Sequence, residues 1–276
     1  MKVINVSWHV PAGGGNLFGV FGLRWVLRRA ASDMVRCVVV FAAGNDGTDN
    51  QIYPLFPANF STDAQLQGRV MTALATDHDD NKAFFSNYSP LGVDIGAPGI
   101  HVLSTGRYLV PPPGRYARYS GTSAAAAYVS AGAGLVAALN PGWGPVEIVR
   151  HLLAAADRIP QLRIACVDGK RLNLANAVYA PVTPLAPVAG AVLPRGVPFN
   201  ITWAQAFNNA AFAQVDVDFV DEAGNVIAVI GNALVAAGVI AWVPNAPPLP
   251  PGPVRGAIRI TATGSNIRLY SGTIQV

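Results

Sequence analysis

The segment of this sequence with the clearest chemical potential is Tyr119-Ser120-Gly121-Thr122-Ser123-Ala124-Ala125-Ala126. A serine hydroxyl is a weak nucleophile, and a site that uses one needs it fixed and exposed. The start of a buried helix supplies both, with the positive end of the helix dipole nearby. Gly121 would let a substrate backbone approach closely. Ser and Thr are also the commonest N-cap residues, so on Gly121-Thr122-Ser123 alone a helix cap is the simpler reading. Ala125 stands where the nucleophile elbow of α/β-hydrolases requires a glycine, which removes that pattern. A second segment, Ala42-Ala43-Gly44-Asn45-Asp46-Gly47, follows the apolar run Cys37 to Phe41. Open parallel sheets bind ligands at the carboxyl ends of their strands. An Asn amide there can donate to an oxygen that turns negative during acyl transfer, an effect worth about 10²–10³ in rate. Its plainer reading is an Asn-Asp-Gly turn.

The elements that must position these residues follow from periodicity. Val3 to Val6 reads as a short strand, Leu17 to Ala31 has helical spacing, and Val35 to Ala43 is a β-branched run of the kind buried on both faces. Val70 to Ala75 repeats that pattern. A loop-rich stretch from Asp77 to Arg118 leads to Ser123–Leu139, an Ala-rich segment expected to form a long, largely buried helix. A further helix opens at Pro145 and buries Ile148, Leu152 and Leu153. This alternation predicts an α/β fold with a parallel sheet covered by helices on both faces. From Tyr179 the character changes. Pro181, Pro184, Pro187, Pro194 and Pro198 predict a stiff linker. Beyond it Phe199 to Trp203, Val215 to Phe219, Ala257 to Thr261 and Ile267 to Val276 alternate as strands, which predicts a β-sandwich of immunoglobulin or fibronectin type.

The chain has 276 residues, 51% hydrophobic and 12% charged, with 28 Gly and 22 Pro. That composition excludes intrinsic disorder, and the absence of a Gly-X-Y period excludes collagen. The net charge of +4 is spread thinly, and the one tight basic group, Arg24, Arg28 and Arg29, has the spacing of a helix's polar face. It gives no reason to expect a nucleic-acid partner. Cys37 and Cys166 are too few for a disulfide framework or a zinc site. Val226 to Val243 has the length of a membrane helix, and no charge occurs between Glu222 and Arg255. Its Gly231-Asn232 and β-branched residues read instead as two strands joined by a Gly-Asn turn, so a membrane association is not expected. Met1 to Ser7 has no signal-peptide pattern.

In order along the chain, VINVSW at Val3 to Trp8, VVVFAAGNDG at Val38 to Gly47, YPLFPA at Tyr53 to Ala58 and VMTALATD at Val70 to Asp77 are followed by three more segments. These are FFSNYSPLGVDIGAPG at Phe84 to Gly99, HVLST at His101 to Thr105 and YSGTSAAAAYVSAG at Tyr119 to Gly132. With GKRLNLANAV at Gly169 to Val178, this set resembles the subtilases, the subtilisin-like and proteinase K-like serine peptidases. The resemblance covers some 180 residues. It implies a subtilisin-like catalytic domain over 1–180, with 181–276 a separate sandwich domain. It also implies that Ser123 is the nucleophile and Asn45 the oxyanion donor. Ser7, Trp8 and His9 would pair with extended substrate, and Ala43 and Gly44 would wall the pocket for the side chain before the scissile bond. The reaction implied is endopeptidase cleavage of a polypeptide substrate through an acyl-enzyme.

The sequence departs from the family pattern. The family's Asp and His motifs, which precede the Asn and the Ser, occur nowhere in it, so the catalytic domain is expected to be amino-terminally incomplete and the chain inactive alone. Of its four histidines, His9, His78, His101 and His151, only His9 is expected near the cleft. Ala127, Tyr128, Ala131 and His9 replace the family's usual Pro, His, Gly and Gly. A missing amino-terminal segment is therefore an expected partner, because it would cover an apolar sheet edge. No cofactor is expected. Asp77, His78, Asp79 and Asp80 invite a calcium reading, but they lack the spacing of a recognised calcium loop. The resemblance implies an extracellular or vacuolar location. The competing reading is a non-catalytic pseudopeptidase, or a cell-surface binding protein acting through its sandwich domain.

Overall fold

A computed structural model of the chain describes residues 3–11, 17–32, 37–106, 116–206, 212–245 and 249–276. It divides into two compact units. One comprises Met1–Gly134, Trp143–Val149 and Gln161–Leu172, the other Leu135–Gly142, Arg150–Pro160 and Asn173–Val276.

The elements that bear on the first unit are, in chain order, β1 (Val3–Val6), α1 (Leu17–Ser32), β2 (Val38–Ala42), β3 (Val70–Thr76), β4 (Ile95–Pro98), β5 (Val102–Thr105), β6 (Tyr116–Tyr119), α2 (Thr122–Leu139), α3 (Pro145–Ala155) and β7 (Lys170–Arg171). Strands β1, β2, β3, β4 and β7 are neighbours in that order and run parallel. The central strands β2 and β3 are buried at every position, which is why their sequences read as unbroken apolar runs. α1 covers one face: Val20 packs with Val39, Phe41, Phe60, Leu66 and Val70, joined by Val6, Leu23 and Leu27. Val6 belongs to that cluster, so its strand neighbour Asn5 points to the opposite face. There Asn5 Oδ1 accepts from Ser130 Oγ of α2 at 3.0 Å, which places α2 on the second face.

The expected helix at Ser123–Leu139 is α2, but it is not largely buried. Ala125, Ala126, Val129 and Ala133 are enclosed, whereas Ala127, Tyr128, Ala131, Leu135 and Leu139 are exposed. The apolar composition covers both faces of the helix, so it hid which face packs. α2 is also the one helix among the described residues with the length and apolar content of a membrane span. Arg24 and Arg28 of the basic group each approach Asp63 Oδ2 at 2.7 Å. Burial alone would raise the Asp63 carboxyl, but Arg28, Arg24 and the Gln65 amide hold it below its ordinary value. Asp94, just before β4, accepts from the Thr72 amide at 2.7 Å. Burial pushes its carboxyl up to about 7 against that hydrogen bond and the charge of Lys170.

The second unit holds β8 (Val182–Ala186), β9 (Phe199–Gln205), β10 (Gln214–Asp221), β11 (Val226–Leu234), β12 (Val239–Trp242), β13 (Arg255–Ala262), β14 (Arg268–Tyr270) and β15 (Ile274–Gln275). One antiparallel sheet has the order β8-β9-β12. The other has the order β11-β10-β13-β14, with β15 also on β13. Two expectations are corrected. The Pro-rich stretch after Tyr179 is not simply a linker, because β8 lies within it and pairs with β9, with Val182 and Thr183 buried. Pro184 is tolerated because β8 is an edge strand, where a missing N–H costs no ladder bond. Nor do Gly231-Asn232 form a turn. β11 runs straight through them with a register shift opposite Val217 and Asp218, and the chain reverses later, at Val235–Gly238. An Asn beside a Gly fits a bulge as well as a turn, and sequence alone does not separate the two.

His151 of α3 is enclosed in this unit. Its Nε2 lies 2.8 Å from the Ala177 carbonyl and its Nδ1 2.6 Å from Thr183 Oγ1. A carbonyl only accepts, so Nε2 carries the proton and Nδ1 accepts from the threonine. Burial pushes the imidazole down to about 4.

Candidate active site

Ser123 is the second residue of α2, half-buried in the first turn of the helix, where backbone N–H groups have no preceding turn to bond to. Its Oγ donates to the Ser7 carbonyl at 3.4 Å, while Ser7 Oγ, itself accepting from Asn5 Nδ2 at 2.8 Å, donates to the Ser123 carbonyl at 3.5 Å. The stretch following β1 is thereby brought against the helix start. Trp8 and His9 continue it, both exposed.

Asn45 leaves the carboxyl end of β2, and its carboxamide is oriented by its neighbour in space, Thr122. The Thr122 amide and Thr122 Oγ1 both donate to Asn45 Oδ1, at 2.9 and 3.0 Å. With the oxygen held on both sides, the exposed residue presents its NH2 group away from Thr122. Thr122 is fully enclosed, and its hydroxyl also accepts from the Gly44 amide at 3.2 Å. Ala43 is buried and donates its N–H to Ala73 of β3 at 3.0 Å.

Gly121 sits before the helix with φ +152°, a conformation suited to glycine. The point where a Cβ would project from it lies 3.7 Å from both polar atoms of the Asn45 carboxamide and 3.8 Å from the Ser123 nitrogen. The Asn45 carboxamide and the Ser123 backbone nitrogen therefore border one small space beside the serine. On another side a cavity of about 510 Å³ opens, lined by Ser123, Leu103, Thr105, Tyr119, Ala127 and Tyr128 among others, with no charged side chain among the described residues of its wall.

Ser123, Asn45, Gly44 and Ser7 thus converge. Among the described residues, none of the four histidine rings is hydrogen-bonded to Ser123. His78 lies 3.3 Å from Asp79, His101 is held through its backbone N–H by Ser120 Oγ at 3.0 Å, and His151 uses both ring nitrogens elsewhere. Asp77 folds its carboxylate into its own turn, accepting from the Asp79 and Asn81 amides at 2.9 Å each. No group of three or more His, Cys, Asp or Glu placed to hold a metal ion occurs among the described residues. Thr122 is the residue sequence reasoning passed over. Its signal was present in the Gly121-Thr122-Ser123 run, where it read only as part of a cap.

The sequence model of the subtilase family matches residues 1–178. The chain belongs to the subtilase family. Thermitase of Thermoactinomyces vulgaris is 39% identical over 177 residues, which is 64% of this chain and 54% of that protein. The extracellular protease of Xanthomonas campestris pv. campestris is 33% identical over 142 residues, 50% of this chain and 22% of that one. Among solved structures, a protease from Pseudoalteromonas arctica superposes with a TM-score of 0.51 at 28% identity, covering 65% of this chain and 51% of that one. The chain thus spans about half or less of the length of these relatives. Its parallel-sheet unit is the subtilisin-like α/β fold, and the subtilases it resembles are serine peptidases.

Proposed function

We propose that this subtilase chain carries the acyl-transfer half of a serine endopeptidase site, with Ser123 as nucleophile and the Asn45 side chain and Ser123 amide as oxyanion donors. The single observation that carries the reading is that the Asn45 carboxamide and the Ser123 backbone nitrogen lie within 3.8 Å of one point beside Gly121. Charge developing on a carbonyl oxygen there would meet fixed N–H groups that need no reorganisation. Ser123 Oγ would attack the carbonyl carbon, and the amine would leave once protonated, giving an ester that water then cleaves. The extended backbone at Ser7, Trp8 and His9 would pair with a polypeptide substrate, and Ala43 and Gly44 would line its pocket. In this reading the proton acceptor comes from a segment carrying the family's Asp and His motifs. The outer edge of β1, where Ile4 is exposed, and the exposed Tyr128 of α2 supply apolar surface for such a segment to cover. The chain alone would then react slowly.

Residues 181–276 we read as a sandwich domain distinct from the catalytic portion at 1–180. Support comes from Phe219 of β10 and Trp242 of β12, strands of different sheets whose rings lie 5.4 Å apart. The Xanthomonas relative is an extracellular protease by name, which favours the same location for this chain.

Reaction with a fluorophosphonate tests the proposal. Asn45→Ala should slow modification of Ser123 by about 10²–10³, the effect of losing such a donor in subtilisin. An unchanged rate would remove Asn45 from the site.

A further inference from the structure

The loop that carries Asn45 is gripped from behind by one enclosed carboxamide, that of Asn87, which is fully buried. Its Oδ1 accepts from the amides of Asp46 at 2.8 Å and Thr48 at 3.2 Å. Its own backbone N–H donates to the Gly44 carbonyl at 2.9 Å. Both neighbours of Asn45 in sequence are therefore tied to the same residue. Asn87 is fixed in turn, since its Nδ2 donates to Asn50 Oδ1 at 3.0 Å and Asn50 Nδ2 donates to the Ala43 carbonyl at 2.9 Å. Asn59 Nδ2 closes the chain on the Asn50 carbonyl at 2.7 Å. The packing leaves no slack, because a Cβ on Gly44, at φ +111°, would run into the side chains of Leu55 and Asn87.

A loop at a strand end normally wanders more than the sheet it leaves. A donor that stabilises developing charge has to be aimed beforehand, and a misplacement near 1 Å forfeits much of the effect. Thr122 orients the Asn45 amide from the front, but only if the backbone beneath that amide stays still. We propose that Asn87 is a positioning residue for Asn45, holding the Gly44–Thr48 backbone so that the oxyanion donor is preset before substrate arrives. This rests on the reading of Asn45 as that donor. Asn87 touches no reacting atom in this scheme, and a carboxamide suits the place because it accepts two loop amides while donating to Asn50.

The experiment uses the full chain with Asn87→Leu, Asn87→Asp, Asn45→Ala and the Asn87→Leu/Asn45→Ala double variant. Hydrogen exchange at the Asp46 and Thr48 amides is followed, with the β2 amides as the internal control. Asn87→Leu should speed exchange at those two amides by about tenfold or more, as expected when both lose a buried acceptor, and leave β2 protected. Asn87→Asp keeps the accepting oxygen but loses the donor to Asn50, so exchange at the two amides should rise by much less than tenfold. A rise of tenfold or more in that variant, or no change in Asn87→Leu, would overturn the proposal, and the aspartate variant decides if the leucine variant does not fold.

The second readout is the rate of fluorophosphonate reaction at Ser123. If Asn87 acts through Asn45, Asn45→Ala costs nothing further once Asn87→Leu is present. If the two losses multiply, Asn87 acts independently and the positioning role is wrong. A wild-type chain that is not labelled would instead sink the reading of Ser123, while the exchange data still judge the hold on the loop.

Discussion

Lowering the pH from 7 to 4 should destabilise the second unit through His151, and the structure sets the size of the effect. Its imidazole is enclosed and neutral, donating from Nε2 to Ala177 and accepting at Nδ1 from Thr183. Burial lowers it from an ordinary 6.5 to about 4. Between those values the unfolded chain binds a proton that the folded chain refuses, so stability is full above pH 6.5 and falls as pH drops toward 4. At about 1.4 kcal/mol per pH unit, a gap of roughly 2.5 gives a loss of roughly 3 kcal/mol. The assay is urea unfolding at pH 7, 6, 5 and 4, read by the fluorescence of the buried Trp203 and Trp242. His151→Gln should be less stable at pH 7, where two hydrogen bonds are disturbed, yet should lose about 3 kcal/mol less than the wild type on acidification. Equal losses in the two chains would refute the argument, since they would mean that His151 is protonated in the fold without penalty.

Asp94 should act in the opposite direction. Its carboxyl is raised to about 7, so the stability it contributes is full below pH 4 and is lost as pH rises through 7. A carboxamide in its place would keep the acceptor for the Thr72 amide without the charge, so Asp94→Asn should gain stability relative to wild type at pH 8 and little at pH 4. Thermal melts at the two values check this, and equal differences would count against it. Thr122→Val should cost about 1–3 kcal/mol by orphaning the enclosed Gly44 amide, and should slow Ser123 modification, whereas Thr122→Ser should retain both properties. Urea unfolding and fluorophosphonate kinetics on the two variants decide.

What the sequence disclosed was what apolar periodicity and local order can carry. The runs Val38 to Phe41 and Val70 to Ala75 announced central parallel strands because a strand buried on both faces has no polar alternation. Local pattern placed Ser123 at a helix start and Asn45 at a strand end, while their expected roles came from the family resemblance. The polar groups that aim them could not be placed that way. Thr122 bonds to a residue 77 positions away and Asn87 to one 41 positions away, and nothing in the spacing of FFSNYS names Asp46 as its partner. The same limit explains β8 and the turn after β11. Whether a Pro lies on an edge strand, or a Gly in a bulge, is decided by the neighbouring strand and not by the segment itself.

The central proposal is that Ser123 is a nucleophile with the Asn45 and Ser123 N–H groups as its oxyanion donors. Intact-mass and peptide mapping after prolonged exposure of the full chain to a fluorophosphonate measures this. The predicted result is one slow adduct, on Ser123, absent from Ser123→Ala and undetectable over the same time in Asn45→Ala. No adduct on Ser123, or an adduct distributed equally over Ser7, Ser120 and Ser123, would contradict it.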